Sequence, residues 1–343
     1  MYVLGIETSC DETSAGIVKD GAEVMSNIVS SSLQFHQKYG GVVPEIASRM
    51  QLETITQVAD SAVTSAGIRR NDIALVSVTC GPGLLGSLLV GISFAKSVSL
   101  GLNVPLLGID HLTSHIYASF LDGGVRLPFV GLVVSGGHTS LYYVKDFDAI
   151  TCLGATRDDA CGEAFDKVAK ILRLGYPGGP FIEKIAKKGN PYKIRFTCSK
   201  TENPLDFSFS GIKTAVLYYV QKSAKVHSSR LGQFAVHSSS AISSRLKNDI
   251  AASFQEAAID TLIRKSFRAC QMKKVNRLVI GGGVAANNRL REKFYQAARE
   301  KDYNVYFPSK EFCMDNAAMV AGLAYRLFKK GRVSGLDLNA HLD

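Results

Sequence analysis

A chain of 343 residues, 46% of them hydrophobic and with a formal net charge of +10, exceeds the usual size of one domain and has the apolar mass for a large core. That composition excludes a disordered chain, and the positive balance points to a polyanionic partner, nucleic acid ahead of membrane. The cysteines, Cys10, Cys80, Cys152, Cys161, Cys198, Cys270 and Cys313, stand singly with no C-x-x-C pair, which argues for a reducing compartment and against a disulfide or thiolate-zinc framework.

The N-terminus reads as a strand, Val3 to Glu7, a polar turn Thr8-Ser-Cys-Asp-Glu-Thr13, and a second strand, Ala15 to Val18. Acidic residues follow Ile6 at once, unlike a signal or transit peptide, so a cytoplasmic location is expected. A buried strand, Ile73 to Val78, then runs into Gly81-Pro-Gly83. The apolar stretch Leu84 to Leu102 contains Gly, Ser and Lys96, which favours a close-packed buried helix over a membrane span. In Ile109-Asp-His-Leu-Thr-Ser-His-Ile-Tyr-Ala118, His111 and His115 are four residues apart; on a helix they share a face and can close on one metal ion. The Gly pair in Asp122-Gly-Gly124 divides the chain into lobes 1–124 and 125–343.

The second lobe repeats the pattern: a strand Phe129 to Val134, a turn Ser135-Gly-Gly-His138, a strand Ser140 to Val144, and later a strand Arg277 to Ile280 running into Gly281-Gly-Gly283. Two hairpins and two strand-glycine-helix units in the same order predict a duplicated α/β architecture. The second lobe carries extra sequence over about 151–249, with the turn Tyr176-Pro-Gly-Gly-Pro180 and a Ser-rich stretch, His227 to Ser244, that reads as a surface loop or mobile insertion. Near the end, Asp315 stands at the start of an apolar helix and is the candidate third ligand beside His111 and His115. Three protein ligands leave a position for a substrate oxygen, and a His-His-Asp set suits iron, zinc or manganese without choosing among them. The three glycine turns present backbone N–H groups to anions, which points to a phosphate-bearing ligand between the lobes.

The motifs Gly5-Ile-Glu-Thr-Ser-Cys-Asp-Glu-Thr13, Gly40-Gly-Val-Val-Pro-Glu-Ile-Ala-Ser-Arg49, Val134-Ser-Gly-Gly-His-Thr139, Gly162-Glu-Ala-Phe-Asp-Lys167, Tyr176-Pro-Gly-Gly-Pro180, Asp206-Phe-Ser-Phe-Ser-Gly211 and Gly282-Gly-Val-Ala-Ala-Asn287, with the histidine pair, resemble the bacterial TsaD (Gcp/YgjD) family over nearly the whole chain. The resemblance implies a duplicated actin-like ATPase fold of two lobes with a central cleft. It implies transfer of threonylcarbamoyl from threonylcarbamoyl-adenylate to N6 of adenosine 37 in tRNAs that read ANN codons. It also implies one divalent metal ion on His111, His115 and Asp315, iron first and zinc second, and an adenylate held by Val133, Val134, Ser135, Gly136, Gly137, Asp166, Gly179, Glu183 and Asn287. The implied partners are tRNA, a smaller TsaB-like paralogue and a TsaE-like P-loop ATPase, with no membrane.

Local readings compete with these assignments. Asp11 and Glu12 are candidates to position a general base or the incoming amine, although hairpin turns are commonly acidic. Asn287 is placed equally well to cap a helix, and Glu163 to Lys167 to form a surface ion pair. Two positions depart from the family pattern: Gln51 stands where His is usual, which puts proton transfer there in doubt, and Met314 replaces the usual Thr before Asp315. Cations from Arg264 to Lys301, among them Arg268, Lys273, Lys274, Arg289, Arg291, Lys293 and Arg299, are expected to meet tRNA phosphates. A zincin protease requires H-E-x-x-H, and Leu112 occupies the position of its glutamate. A sugar or acetate kinase gives the histidine pair no role, and the metal set makes a non-catalytic scaffold a poor fit.

Overall fold

The structure is a computed structural model that describes residues 1–231 and 242–341. In chain order its first half contains β1 (Tyr2–Glu7), β2 (Glu12–Lys19), β3 (Glu23–Ser31), α1 (Leu33–His36), α2 (Pro44–Ser65), β4 (Ile73–Gly81), α3 (Leu85–Leu102), β5 (Leu106–Asp110) and α4 (His111–Leu121). The second contains β6 (Phe129–Val134), β7 (Thr139–Asp146), β8 (Ala149–Ala155), α5 (Cys161–Leu172), α6 (Gly178–Ala186), α7 (Ser210–Leu231), α8 (Ser244–Lys273), β9 (Arg277–Gly281), α9 (Asn288–Lys301), β10 (Asn304–Tyr306) and α10 (Ala317–Lys329).

The strands form two 5-stranded sheets ordered β3-β2-β1-β4-β5 and β10-β9-β6-β7-β8. Reversing the second list gives the same topology: an antiparallel meander whose first strand pairs in parallel with a later strand that leads into a glycine turn. The predicted duplication is therefore present in full. The strands not foreseen, β3, β5, β8 and β10, are the edges of the two sheets. β3 and β8 are largely solvated, so they lack the apolar run that marks β1, β4, β6 and β9.

Side chains alternate across β1. Leu4 and Ile6 face α2 and α3, with Ile55, Val58, Leu88 and Ile92, while Val3 faces the opposite layer. That opposite layer is made by α4 and α10, whose Leu112, Ile116, Met319 and Leu323 lie between the sheets and meet Phe129, Val133 and Val279 of the second. On the far side of the second sheet, α5, α7 and α8 complete the core through Phe165, Val216, Phe254 and Ile259.

The two central helices qualify the division at 122–124. α10, the last helix of the second lobe, packs on β1 and β2, and a Cβ at Gly5 would run into the carbonyl oxygen of Ala317. Beyond α10, Ser334 N–H donates to Leu106 O at 2.8 Å and His341 N–H to Cys80 O at 2.9 Å, so the tail lies along the first sheet. Conversely α4 packs against β6 and β9 as well as β5. A cut in sequence thus does not separate two packing units, because each lobe lends a helix to the layer between the sheets.

The extra sequence over about 151–249 includes most of β8, which completes the second sheet, and ends within α8, which runs from Ser244 to Lys273. Within the Ser-rich stretch, residues 227–231 are helical and Ser244 opens α8, while 232–241 lie outside the described residues. α3 is also less enclosed than a core helix: it has the length and apolarity of a membrane span, yet only 33% of it is buried, along Leu88, Ile92 and Ala95 against the first sheet.

Candidate metal and adenylate site

Local sequence rules place each ligand. Asp110 caps α4, its carboxylate accepting from Thr113 N–H at 2.7 Å, so the helix begins at His111 and the i, i+4 spacing turns His115 to the same side. Asn316 caps α10 by accepting from Met319 N–H at 3.1 Å, and its amide ties back to Met314 O at 2.8 Å, which fixes Asp315 at the helix entrance. Two helix N-termini therefore meet at one point, an environment that favours a carboxylate and an anionic substrate.

Asp315 Oδ1 lies 3.0 Å from His115 Nε2 and 3.7 Å from His111 Nε2, and one ligand atom from each of the three residues falls within 4.8 Å of the others. The imidazoles stand edge to face at 74°. Burial opposes protonation of His111, yet the charges of Glu7 and Asp315 lift it to about 9. Burial pushes the Asp315 carboxyl up, and the two imidazoles more than reverse this, bringing it to about 2. Each shift expresses one condition, a cluster that needs positive charge at its centre.

The donor set fits a metal ion. His115 is fully buried and neither ring nitrogen makes an aligned hydrogen bond; Nε2 is within ion-pair distance of Asp315 without the geometry of N–H donation. A buried nitrogen left in this way is costly unless its lone pair is used, and a cation shared with Asp315 uses it.

Around this centre the structure adds a residue to which motif reading gave no role. Glu7, fully buried at the end of β1, accepts from Ser9 N–H and from the Thr79 hydroxyl, each at 2.5 Å, and lies 3.1 Å from His111 Nδ1. An acid closing an otherwise apolar strand was the available signal. Gln51 reaches from α2 and donates to the carbonyls of Cys10 and Glu12, both at 2.9 Å. The departure from His therefore supplies a clamp on the acidic turn. Met314 is 52% exposed and lies beside Gly283.

Asp11 and Glu12 sit at the base of this turn, where Ser32 N–H donates to Asp11 O at 3.1 Å. Burial, then the charges of Asp315 and Asp11, raise the Glu12 carboxyl well above its ordinary range. The Tyr176 phenol is raised by burial and by Asp166, Asp11, Cys10 and Glu12, so this ring stands where the first-lobe turn meets the second-lobe helices.

Of the residues assigned to the adenylate, Val133 to Gly137 lie at the end of β6, Asn287 follows β9, and Asp166, Gly179 and Glu183 lie on α5 and α6. Val133 and Val134 are buried in β6, whereas Gly136 and Gly137 are exposed with open space where a side chain would be. Asp166 accepts from Gly178 N–H at 2.6 Å, and burial raises its carboxyl. Gly179 faces open space. Glu183 accepts from the Asn288 amide at 2.6 Å, and Asn287 caps α9 through Leu290 N–H at 3.0 Å while donating to Gln255 at 2.9 Å. The capping alternative for Asn287 thus describes its side chain, and Glu163 does pair with Lys167 at 2.8 Å.

A profile for the TsaD family, tRNA N6-adenosine threonylcarbamoyltransferase, matches residues 23–322. The chain belongs to the TsaD family. Among relatives carrying that enzyme name, the Thermodesulfovibrio yellowstonii protein is 50% identical over 341 residues, 99% of this chain and 98% of its own. The Kosmotoga olearia protein is 48% identical over 342 residues, 99% of this chain and 97% of its own. Solved structures show the fold alone. Full-length HypF, in a phosphate- and nucleotide-bound form, superimposes with TM-score 0.60 at 13% identity over 96% of this chain, which spans 46% of the HypF chain. Component A of the Acidaminococcus fermentans (R)-2-hydroxyglutaryl-CoA dehydratase gives 0.52 at 16% identity over 97% of this chain and 100% of its own. The architecture of this TsaD-family chain is the duplicated actin-like ATPase fold, and the family name makes tRNA its substrate.

Proposed function

We propose that the chain transfers threonylcarbamoyl from threonylcarbamoyl-adenylate to N6 of adenosine 37 in ANN-reading tRNAs, at a divalent metal site formed by His111, His115 and Asp315. The observation that carries this reading is the convergence of those ligands around the unsatisfied nitrogens of His115, beside glycine turns open to solvent. When bound, the ion, iron first and zinc second, supplies a Lewis acid that neutralises charge on a carbonyl or phosphate oxygen.

The protein's own groups account for the remaining requirements. The amine attacks the carbamoyl carbon, the bond to the phosphate oxygen breaks and AMP leaves with the electron pair, while one amine proton is given up. Backbone N–H groups of Gly136 and Gly137, in the turn that follows Val133 and Val134, and the N-terminus of α6 at Gly179 hold the anionic adenylate. Asp166 and Glu183 serve the ribose hydroxyls and Asn287 frames the base side. Asp11 and Glu12 position the incoming amine and receive its proton.

Partner binding falls on the first lobe. Leu85, Leu89 and Leu100 of α3 are 50%, 46% and 69% exposed, and Leu52 of α2 is 68% exposed. This apolar face suits a TsaB-like paralogue, with a TsaE-like P-loop ATPase completing a cytoplasmic assembly that needs no membrane. The test is transfer of labelled threonylcarbamoyl-adenylate to an ANN-decoding tRNA with and without those partners. His111→Ala or Asp315→Ala is expected to abolish metal retention and transfer together, and full transfer by a metal-free variant overturns the reading.

A further inference from the structure

We propose that Glu7 is a positioning residue that selects the tautomer of His111: its carboxylate accepts a hydrogen bond from Nδ1–H and leaves the Nε2 lone pair directed at Asp315 and the metal position. The inference rests on the metal reading above and extends it to a residue outside the ligand set.

The geometry allows little else. His111 Nδ1 has two neighbours, Glu7 Oε2 at 3.1 Å and Ser9 Oγ at 3.2 Å. Glu7 cannot swing away, because Oε1 accepts from Ser9 N–H and Oε2 from the Thr79 hydroxyl. Those donors come from the turn after β1 and from the neighbouring strand β4, so the carboxylate is locked between two strands of the sheet. A carboxylate is acceptor-only, so an imidazole beside it is most stable with hydrogen on the facing nitrogen. Nε2 then lacks hydrogen and points toward Asp315 Oδ1 at 3.7 Å, too far for a direct bond and open to a shared cation. Burying Glu7 completely is costly unless its charge is answered, and the three donors, Ser9 N–H, the Thr79 hydroxyl and His111 Nδ1, answer it. His115 has no equivalent carboxylate, since its Nδ1 is without a hydrogen-bond partner. The two imidazoles are therefore unequal, His111 being held from behind by a carboxylate on Nδ1 and His115 having no such partner there.

Glu7→Gln keeps shape and removes the charge, while its amide can also face Nδ1 with N–H. The expected result is a metal affinity weakened by about 10- to 100-fold, measured by titration with zinc or ferrous iron alone. In metal-free protein, at a pH high enough for His111 to be neutral, ¹⁵N spectra should show its remaining proton on Nδ1 in the unaltered chain and Nε2–H gaining population in Glu7→Gln. Thr79→Val, which frees the carboxylate without removing it, is expected to give a smaller loss. His115→Ala serves as the control for the site itself. If the unaltered chain binds no metal, or His115→Ala binds as tightly, the metal reading fails. If His115→Ala loses the metal while Glu7→Gln keeps both affinity and tautomer, the positioning role of Glu7 is refuted and the site stands.

Discussion

Gln51 shows how one side chain controls the geometry of others. Its amide nitrogen faces the carbonyls of Thr8, Cys10 and Glu12, so it closes the turn that carries Asp11 and Glu12. Gln51→Leu keeps the bulk and leaves buried carbonyls without a donor, which should lower unfolding stability by about 1–3 kcal/mol. Transfer should fall while metal content stays unchanged, as measured by denaturant unfolding beside metal analysis. Gln51→His retains one N–H donor and should recover much of the activity. Sequence alone could register this position only as a departure from the family, because the three carbonyls it serves lie about forty residues away, beyond β2, β3 and α1.

At the scale of elements, the decisive pair is α4 and α10. Both lie between the sheets, and their N-termini bring His111, His115 and Asp315 together. Gly5 sets the height of α10 over β1, since a Cβ there would come within 2.9 Å of Ala321 N as well as striking Ala317 O. Gly5→Val should therefore displace α10 and cost about 1–3 kcal/mol in stability. Metal retention should fall more than global stability does, read as metal stoichiometry at a temperature where the variant remains folded. A variant with normal metal content would show that Asp315 does not depend on this packing. The central strands were legible because burial on both faces demands long apolar runs; the solvated edge strands β3 and β8 were not, since their pairing depends on neighbours already in place.

Over the whole molecule, the +10 charge is not distributed as the sequence implied. Lys265 is buried and donates to Asp206 O and the Thr201 hydroxyl, Arg277 donates to Pro128 O, Arg289 and Lys293 hold Glu256, and Arg291 donates to Ala285 O. The exposed remainder, Arg264, Arg268, Lys273, Lys274, Arg299 and Lys301, is the surface available to phosphates. Arg268→Ala with Lys274→Ala should weaken tRNA binding and lower the slope of log affinity against log salt by about 2. Lys293→Ala should destabilise the fold and leave that slope unchanged. An unaltered slope in the double variant would place the tRNA elsewhere.

Sequence by itself determined what residue spacing controls: the apolar central strands, the duplicated order of hairpins and glycine turns, the shared face of His111 and His115, and the family. Each of these is set within a few residues of chain, or by whole motifs in order. Tertiary structure alone decided the rest. It set the approach of Asp315 to histidines two hundred residues earlier, the contact of Glu7 at the end of β1 with His111 on α4, the return of α10 to the first sheet, and which cations remain free. These depend on which surfaces the layers bury against one another, and a buried charge or amide acquires its role only from partners that packing brings to it.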